Sequence, residues 1–103
     1  GMPRMRKQIM TQEIWKFTLQ PFSNVIDMPD HARVLSAAFQ GDDLRVWVVV
    51  VPSNVQRKRG FFVAGTGWLC DDNALGTFVG TAFHPGGMVF HVFDCGYESK
   101  DQK

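Results

Sequence analysis

The side chains that could bind a metal together are Cys70, His84, His91 and Cys95. Structural zinc takes a tetrahedral set of ligands, usually with cysteines about two to four residues apart, so that one turn presents both thiolates. Here the cysteines stand far apart and flank separate strand-like segments. His91 and Cys95 share a strand face but lie too far apart along it to close on one ion. The expectation is no metal and no cofactor. Cys70 and Cys95 read as small, inert, half-buried residues, and His91 reads as an inward histidine satisfied by hydrogen bonds. A nucleophile needs an adjacent base, and Cys70 is followed instead by Asp71 and Asp72, whose charge raises a thiol's pKa. The doublets Asp42-Asp43 and Asp71-Asp72 would point to opposite sides of a strand. They do not supply the facing carboxyls of an acid–base pair, and turn and cap chemistry accounts for them. Gly65-Thr66-Gly67 lacks the remaining glycine, helix and lysine of a phosphate loop. No catalytic residue is assigned, and the chain is not expected to be an enzyme.

Binding chemistry is better represented. Arg57, Lys58 and Arg59 form a basic cluster, and Phe61, Phe62 and Trp68 follow it. Cations beside aromatic rings can contact phosphates and stack bases, as small β-barrels do with single strands. Arg45 and Trp47 would share a strand face and extend that surface. The competing reading is a solvated basic loop with core aromatics behind it. A second candidate surface consists of Trp47, Phe62 and Trp68, aromatic residues left over from the strands for an interface.

The elements that must position these groups are mostly strands. In Glu13–Leu19, Trp15, Phe17 and Leu19 alternate with Ile14, Lys16 and Thr18, the period of a half-buried strand, and Gln20-Pro21 stops it. Ser23–Asp30 carries short apolar residues before the turn signal Met28-Pro29-Asp30. Arg33–Gln40 admits a short helix capped by Asp30 or a strand with Arg33, Leu35, Ala37 and Phe39 on one face. The strand is favoured because Gly41-Asp42-Asp43 then makes a hairpin into Leu44. Leu44–Val51 is β-branched nearly throughout, and Asn54–Arg59 reads as a polar basic loop. Further strands are expected at Gly60–Gly67, Thr77–Phe83 and Met88–Asp94, with a helical turn allowed after Asp71 or Asp72. About six antiparallel strands joined mainly by hairpins make a small barrel or sandwich with at most one short helix. Leu44–Val51 and Met88–Phe93 are apolar on both faces, so each needs cover from another sheet, a barrel interior or another subunit.

Composition bounds the rest. The chain has 103 residues, 45 % of them apolar, and a net charge of +1. That length is one domain, and the charge steers it toward neither nucleic acid nor an anionic membrane. The division expected is a flexible arm at 1–11, with Gly1 as a tag remnant and Arg4, Arg6 and Lys7 as its basic residues. A single β domain is expected at 12–95, then a flexible tail at 96–103. Two cysteines do not make a disulfide scaffold, and the longest apolar run, Val46–Val51, is far short of a membrane span. A reducing cytoplasm is the expected setting.

Ile14 to Asp94 resembles a family of small uncharacterised proteins of bacteriophages and prophages. The segments that carry the resemblance are Ile14–Leu19, Met28-Pro29-Asp30-His31-Ala32-Arg33-Val34-Leu35, Leu44–Trp47, Gly65-Thr66-Gly67, Val79-Gly80-Thr81 and His91-Val92-Phe93. Trp68-Leu69 stands where that family often has His-Pro. The resemblance implies a phage or prophage origin and a bacterial host cytoplasm, supports a strand at Arg33–Phe39, and implies no catalytic residue. The expectation is therefore a non-enzymatic binding or assembly module, homo-oligomeric, with a phage or host protein as a further partner. The alternative is a nucleic-acid-binding accessory protein using the 57–59 loop.

Overall fold

A computed structural model describes residues 11–99. It has seven strands: β1 (Glu13–Leu19), β2 (Phe22–Pro29), β3 (Arg33–Gln40), β4 (Asp43–Val50), β5 (Gln56–Gly65), β6 (Thr77–Phe83) and β7 (Val89–Tyr97). One turn of 3-10 helix, Asp72–Ala74, follows Asp71. The strands form two antiparallel sheets, ordered β1-β4-β3 and β2-β5-β7-β6, which pack face to face as a sandwich. Residues 1–10 and 100–103 lie outside the described chain, as do the arm residues Arg4, Arg6 and Lys7 and half of the expected tail. β7 runs past Asp94 to Tyr97, so the domain continues into the segment expected to be tail.

The alternation of β1 holds. Trp15, Phe17 and Leu19 face the second sheet, opposite Val48, Val46 and Leu44 of β4. In β4, Leu44, Val46, Val48 and Val50 are 0–6 % exposed, while Arg45, Trp47 and Val49 point outward. The second sheet contributes Met28, Phe61, Val63 and Val92, each at most 1 % exposed. Burying such a side chain stabilises the fold by about 1.5–3 kcal/mol relative to leaving it in water. β3 is a strand, but its inward residues are Val34, Ala37 and Phe39 rather than Arg33, Leu35, Ala37 and Phe39. A bulge between Val34 and Ser36 adds a residue and shifts the phase of the alternation.

Two of the links are hairpins. The Gly41-Asp42 turn joins β3 to β4, with Gly41 at φ 62° in the position that a type II′ turn reserves for glycine. Residues 84–88 join β6 to β7. The expectation of hairpins nearly throughout is corrected: β1 to β2, β2 to β3 and β4 to β5 each cross between the sheets. Asn24 clamps the first of these crossings. Its Oδ1 accepts the Gln20 N–H at 2.8 Å, and its Nδ2 donates to the carbonyls of Gln20 and Phe22 at 2.8 and 2.9 Å. β5 and β6 both flank β7, so residues 66–76 carry the chain past β7. Trp68 starts that connection, stacked on Phe22 at 4.9 Å and edge-on to Phe90 at 5.6 Å. At its far end the connection meets β7, where Cys95 Sγ donates to the Ala74 carbonyl at 3.4 Å.

Candidate functional site

Arg57, Lys58 and Arg59 lie inside β5, not in a loop. A charge run reads as solvated from sequence alone, but here it alternates across a strand. Arg57 and Arg59 share the face that bears Phe61 and Val63, while Lys58 points outward. Arg57 donates to Asp30 Oδ1 at 3.0 Å and to the Glu98 carbonyl at 2.9 Å. Arg59 holds both oxygens of Asp94, at 3.0 and 2.6 Å, and donates to the Ala32 carbonyl at 2.8 Å. Lys58 pairs with Asp27 at 3.3 Å. Each cation thus has its own aspartate. The two guanidiniums also sit 4.7 and 4.5 Å from the centre of the Tyr97 ring. The Tyr97 hydroxyl donates to the Pro29 carbonyl at 2.5 Å and accepts the Ala32 N–H at 2.9 Å. Together these groups tie the β2–β3 corner, where His31 adopts φ 63°, to the end of β7.

The electrostatics of the corner follow from these contacts. Burial pushes the Asp94 carboxyl up, but the bonds from Arg59 and the Gly96 N–H, with the Arg59 charge, outweigh it and hold Asp94 below its ordinary range. Burial likewise acts upward on Asp30, against the Arg57 bond, the His31 N–H and the nearby positive charge, and the net direction is down. The bond to Asp94 raises Arg59 further. These groups are locked in their charged forms, as befits a structural tie rather than proton transfer.

The aromatic candidates separate. Phe62 is 7 % exposed on the outer face of the four-stranded sheet. Trp68 packs against the core at the end of the sandwich, and Trp47 is half-buried on the outer face of the other sheet, between Lys16 and Ser36. Sequence reasoning missed Phe78 and Phe83. Phe62, Phe93 and Phe78 form one cross-strand row from β5 through β7 to β6, with Phe78 edge-on to Phe93 at 5.7 Å. The row opens toward the edge: Phe78 is 57 % exposed, and Phe83 on the same strand is 69 % exposed. Val25, on the same outer face, is 56 % exposed. A bulge between Phe78 and Gly80 hides this face from the sequence, because it breaks the alternation that would have assigned it.

The remaining candidates have structural roles. His91 is hydrogen-bonded, to Thr66 at 2.7 Å and Thr81 at 3.1 Å. It lies on the outer face, however, because its neighbours Phe90 and Val92 take the inward positions. Cys95 is exposed rather than half-buried, and desolvation, with the Asp94 charge, pushes its thiol up despite the Gly76 N–H. A raised thiol is a poor nucleophile. Among the described residues no group of three His, Cys, Asp or Glu side chains could hold a metal ion, and no helix is long and apolar enough to cross a membrane.

Residues 10–102 match a family model described as "Domain of unknown function (DUF7352)". The chain belongs to this family. No curated protein matches it, and no solved structure does. In this DUF7352 domain the motif around Met28–Leu35 is the tied corner, and Met28 is fully buried beneath it. Gly65 makes room for Trp68, since a Cβ there would lie 2.5 Å from the indole ring.

Proposed function

We propose that this DUF7352 domain is a non-enzymatic binding or assembly module of phage or prophage origin, acting in a bacterial cytoplasm as a homo-oligomer that also receives a phage or host protein. The observation that carries the reading is the aromatic row Phe62, Phe93 and Phe78 on the outer face of the four-stranded sheet, which ends at the edge strand β6, with Phe83 exposed farther along that strand. Large exposed rings grouped on one sheet face mark protein contact surfaces. The alternative, nucleic-acid binding through Arg57, Lys58 and Arg59, has less support, because each cation is matched by an aspartate of the same chain.

Size-exclusion chromatography with light scattering, read at protein and nucleic-acid wavelengths, tests both. The expected result is an oligomer free of nucleic acid that falls to monomer when Phe78 and Phe83 are both replaced by serine. A wild-type monomer would overturn the assembly reading. Co-eluting nucleic acid that disappears on replacing Arg57, Lys58 and Arg59 by alanine would favour the alternative.

A further inference from the structure

The two hairpins and the β1–β2 corner meet at one end of the sandwich around a cavity of about 270 Å³, open on one side. None of the four outer-face phenylalanines lines it, so a ligand bound there is independent of the assembly reading. Its floor is Leu19, Leu44, Val63 and Phe90, each under a tenth exposed. Phe39 forms a wall, with its ring 5.8 Å from Phe90 and edge-on to His84 at 5.0 Å.

The mouth carries the charge. The Gly86 N–H donates to His84 Nδ1 at 2.8 Å. A backbone N–H can only donate, so Nδ1 is the acceptor and Nε2 is the ring nitrogen left to face Asp42. Nε2 lies 3.4 Å from Asp42 Oδ1. Of the two carboxylates lining the cavity, Asp43 is paired with Arg45 at 3.3 Å. Asp42 has His84 beside it and no Lys or Arg, and its side chain is 89 % exposed. No Lys or Arg lines the cavity. An apolar floor beneath an uncompensated carboxylate is complementary to a cation on an apolar body and opposed to an anion.

We propose that this cavity binds a small primary amine, its ring or short branched chain on the Leu19, Leu44, Val63 and Phe90 floor and its ammonium group at Asp42. The volume is just below the range usual for ligand pockets, about 300–1,000 Å³, so the body is no more than a single ring or its equivalent.

The probes are 2-phenylethylamine, its neutral analogue 2-phenylethanol and its anionic analogue 3-phenylpropanoate, each titrated into the isotopically labelled protein at low salt. Amide resonances report the site. The expected result is saturable shifts at Leu44, Val63, His84 and Phe90, with the amine bound about two- to fivefold more tightly than the alcohol, the range an exposed ion pair supplies, and the anion bound most weakly. Asp42→Asn, a change at an exposed turn residue, should remove the preference for the amine and leave binding of the alcohol unchanged. No saturable shift with any probe would overturn the site. Equal binding of amine and anion, or a preference that survives Asp42→Asn, would overturn the assignment of the ligand's charge.

Discussion

Tyr97 shows how one side chain can hold a corner together. Its ring lies 4.7 and 4.5 Å from two guanidiniums, and its hydroxyl serves a carbonyl and an N–H of the β2–β3 turn at once. Tyr97→Phe keeps the ring and leaves both main-chain groups without that partner. Each such loss costs about 1–3 kcal/mol when the group stays dry. Both bonds are only part-buried, so the pair of losses should sit at the low end, and the variant should unfold in urea with a stability lower by about 2 kcal/mol and an unchanged slope. Asp94 makes a second residue-scale prediction. Asp94→Asn removes the charge that Arg59 faces, and because the pair is only partly buried the cost at neutral pH should be about 2 kcal/mol, below the ~3–5 kcal/mol of a fully buried pair. The pH dependence has a definite sign. Asp30 and Asp94 are held below their ordinary value, so their contribution is complete above the unfolded-state pKa of about 3.9. It is lost as pH falls through the lower folded-state values. The stability gap between wild type and Asp94→Asn should thus close below pH about 4, as measured by urea unfolding across that range.

Elements differ in how openly the chain announces them. β1 is legible because its residues obey one alternation and β4 because it is β-branched nearly throughout, and the 3-10 turn does follow Asp71, although the Asp71 side chain makes no cap hydrogen bond. β2 is not legible: Asn24 is spent on the corner clamp, and only Ile26 and Met28 turn inward with apolar side chains. As an edge strand it also tolerates Pro29, which a central strand would exclude. The inward face of β3 and the outer face of β6 escape the sequence for one reason, since a bulge changes phase without changing composition. The 57–59 stretch reads as a loop because its partners, Asp30 and Asp94, are remote in sequence and only the sheet order brings them close. The connection across β7 is equally hidden, and it carries its own prediction. A Cβ on Gly76 would lie 2.2 Å from the Asp94 carbonyl oxygen, whereas one on Gly65 would meet the movable indole of Trp68. Gly76→Ala should cost about 3 kcal/mol or more, because backbone must shift. Gly65→Ala should cost less but change the tryptophan emission as Trp68 is displaced. Comparable costs with unchanged emission would mean that the connection does not pack as described.

At the scale of the whole molecule, the sandwich has four edge strands, and two of them are brought together. A Cβ on Gly80 of β6 would lie only 3.8 Å from the Ala37 carbonyl of β3. β1 and β2 are the remaining edges. Both carry charge, Lys16 on one and Asp27 on the other, a common guard against edge-to-edge association. The large apolar surface instead lies at Phe78 and Phe83, on a face rather than along an edge. The force holding an oligomer through that surface would be apolar burial, which salt does not screen, whereas exposed charge pairs weaken over a Debye length of about 10 Å at 0.1 M salt. The oligomer's mass should therefore be the same from about 0.05 M to about 0.5 M sodium chloride, while any nucleic acid held through Arg57, Lys58 and Arg59 would be released steeply over that range by counterion release. Light scattering across the series separates the two. A mass that falls with rising salt would mean that charge, not the aromatic row, joins the subunits, and the contact would then have to be sought on the outer face of the three-stranded sheet, which carries Lys16, Arg45 and Arg33 along with Trp47.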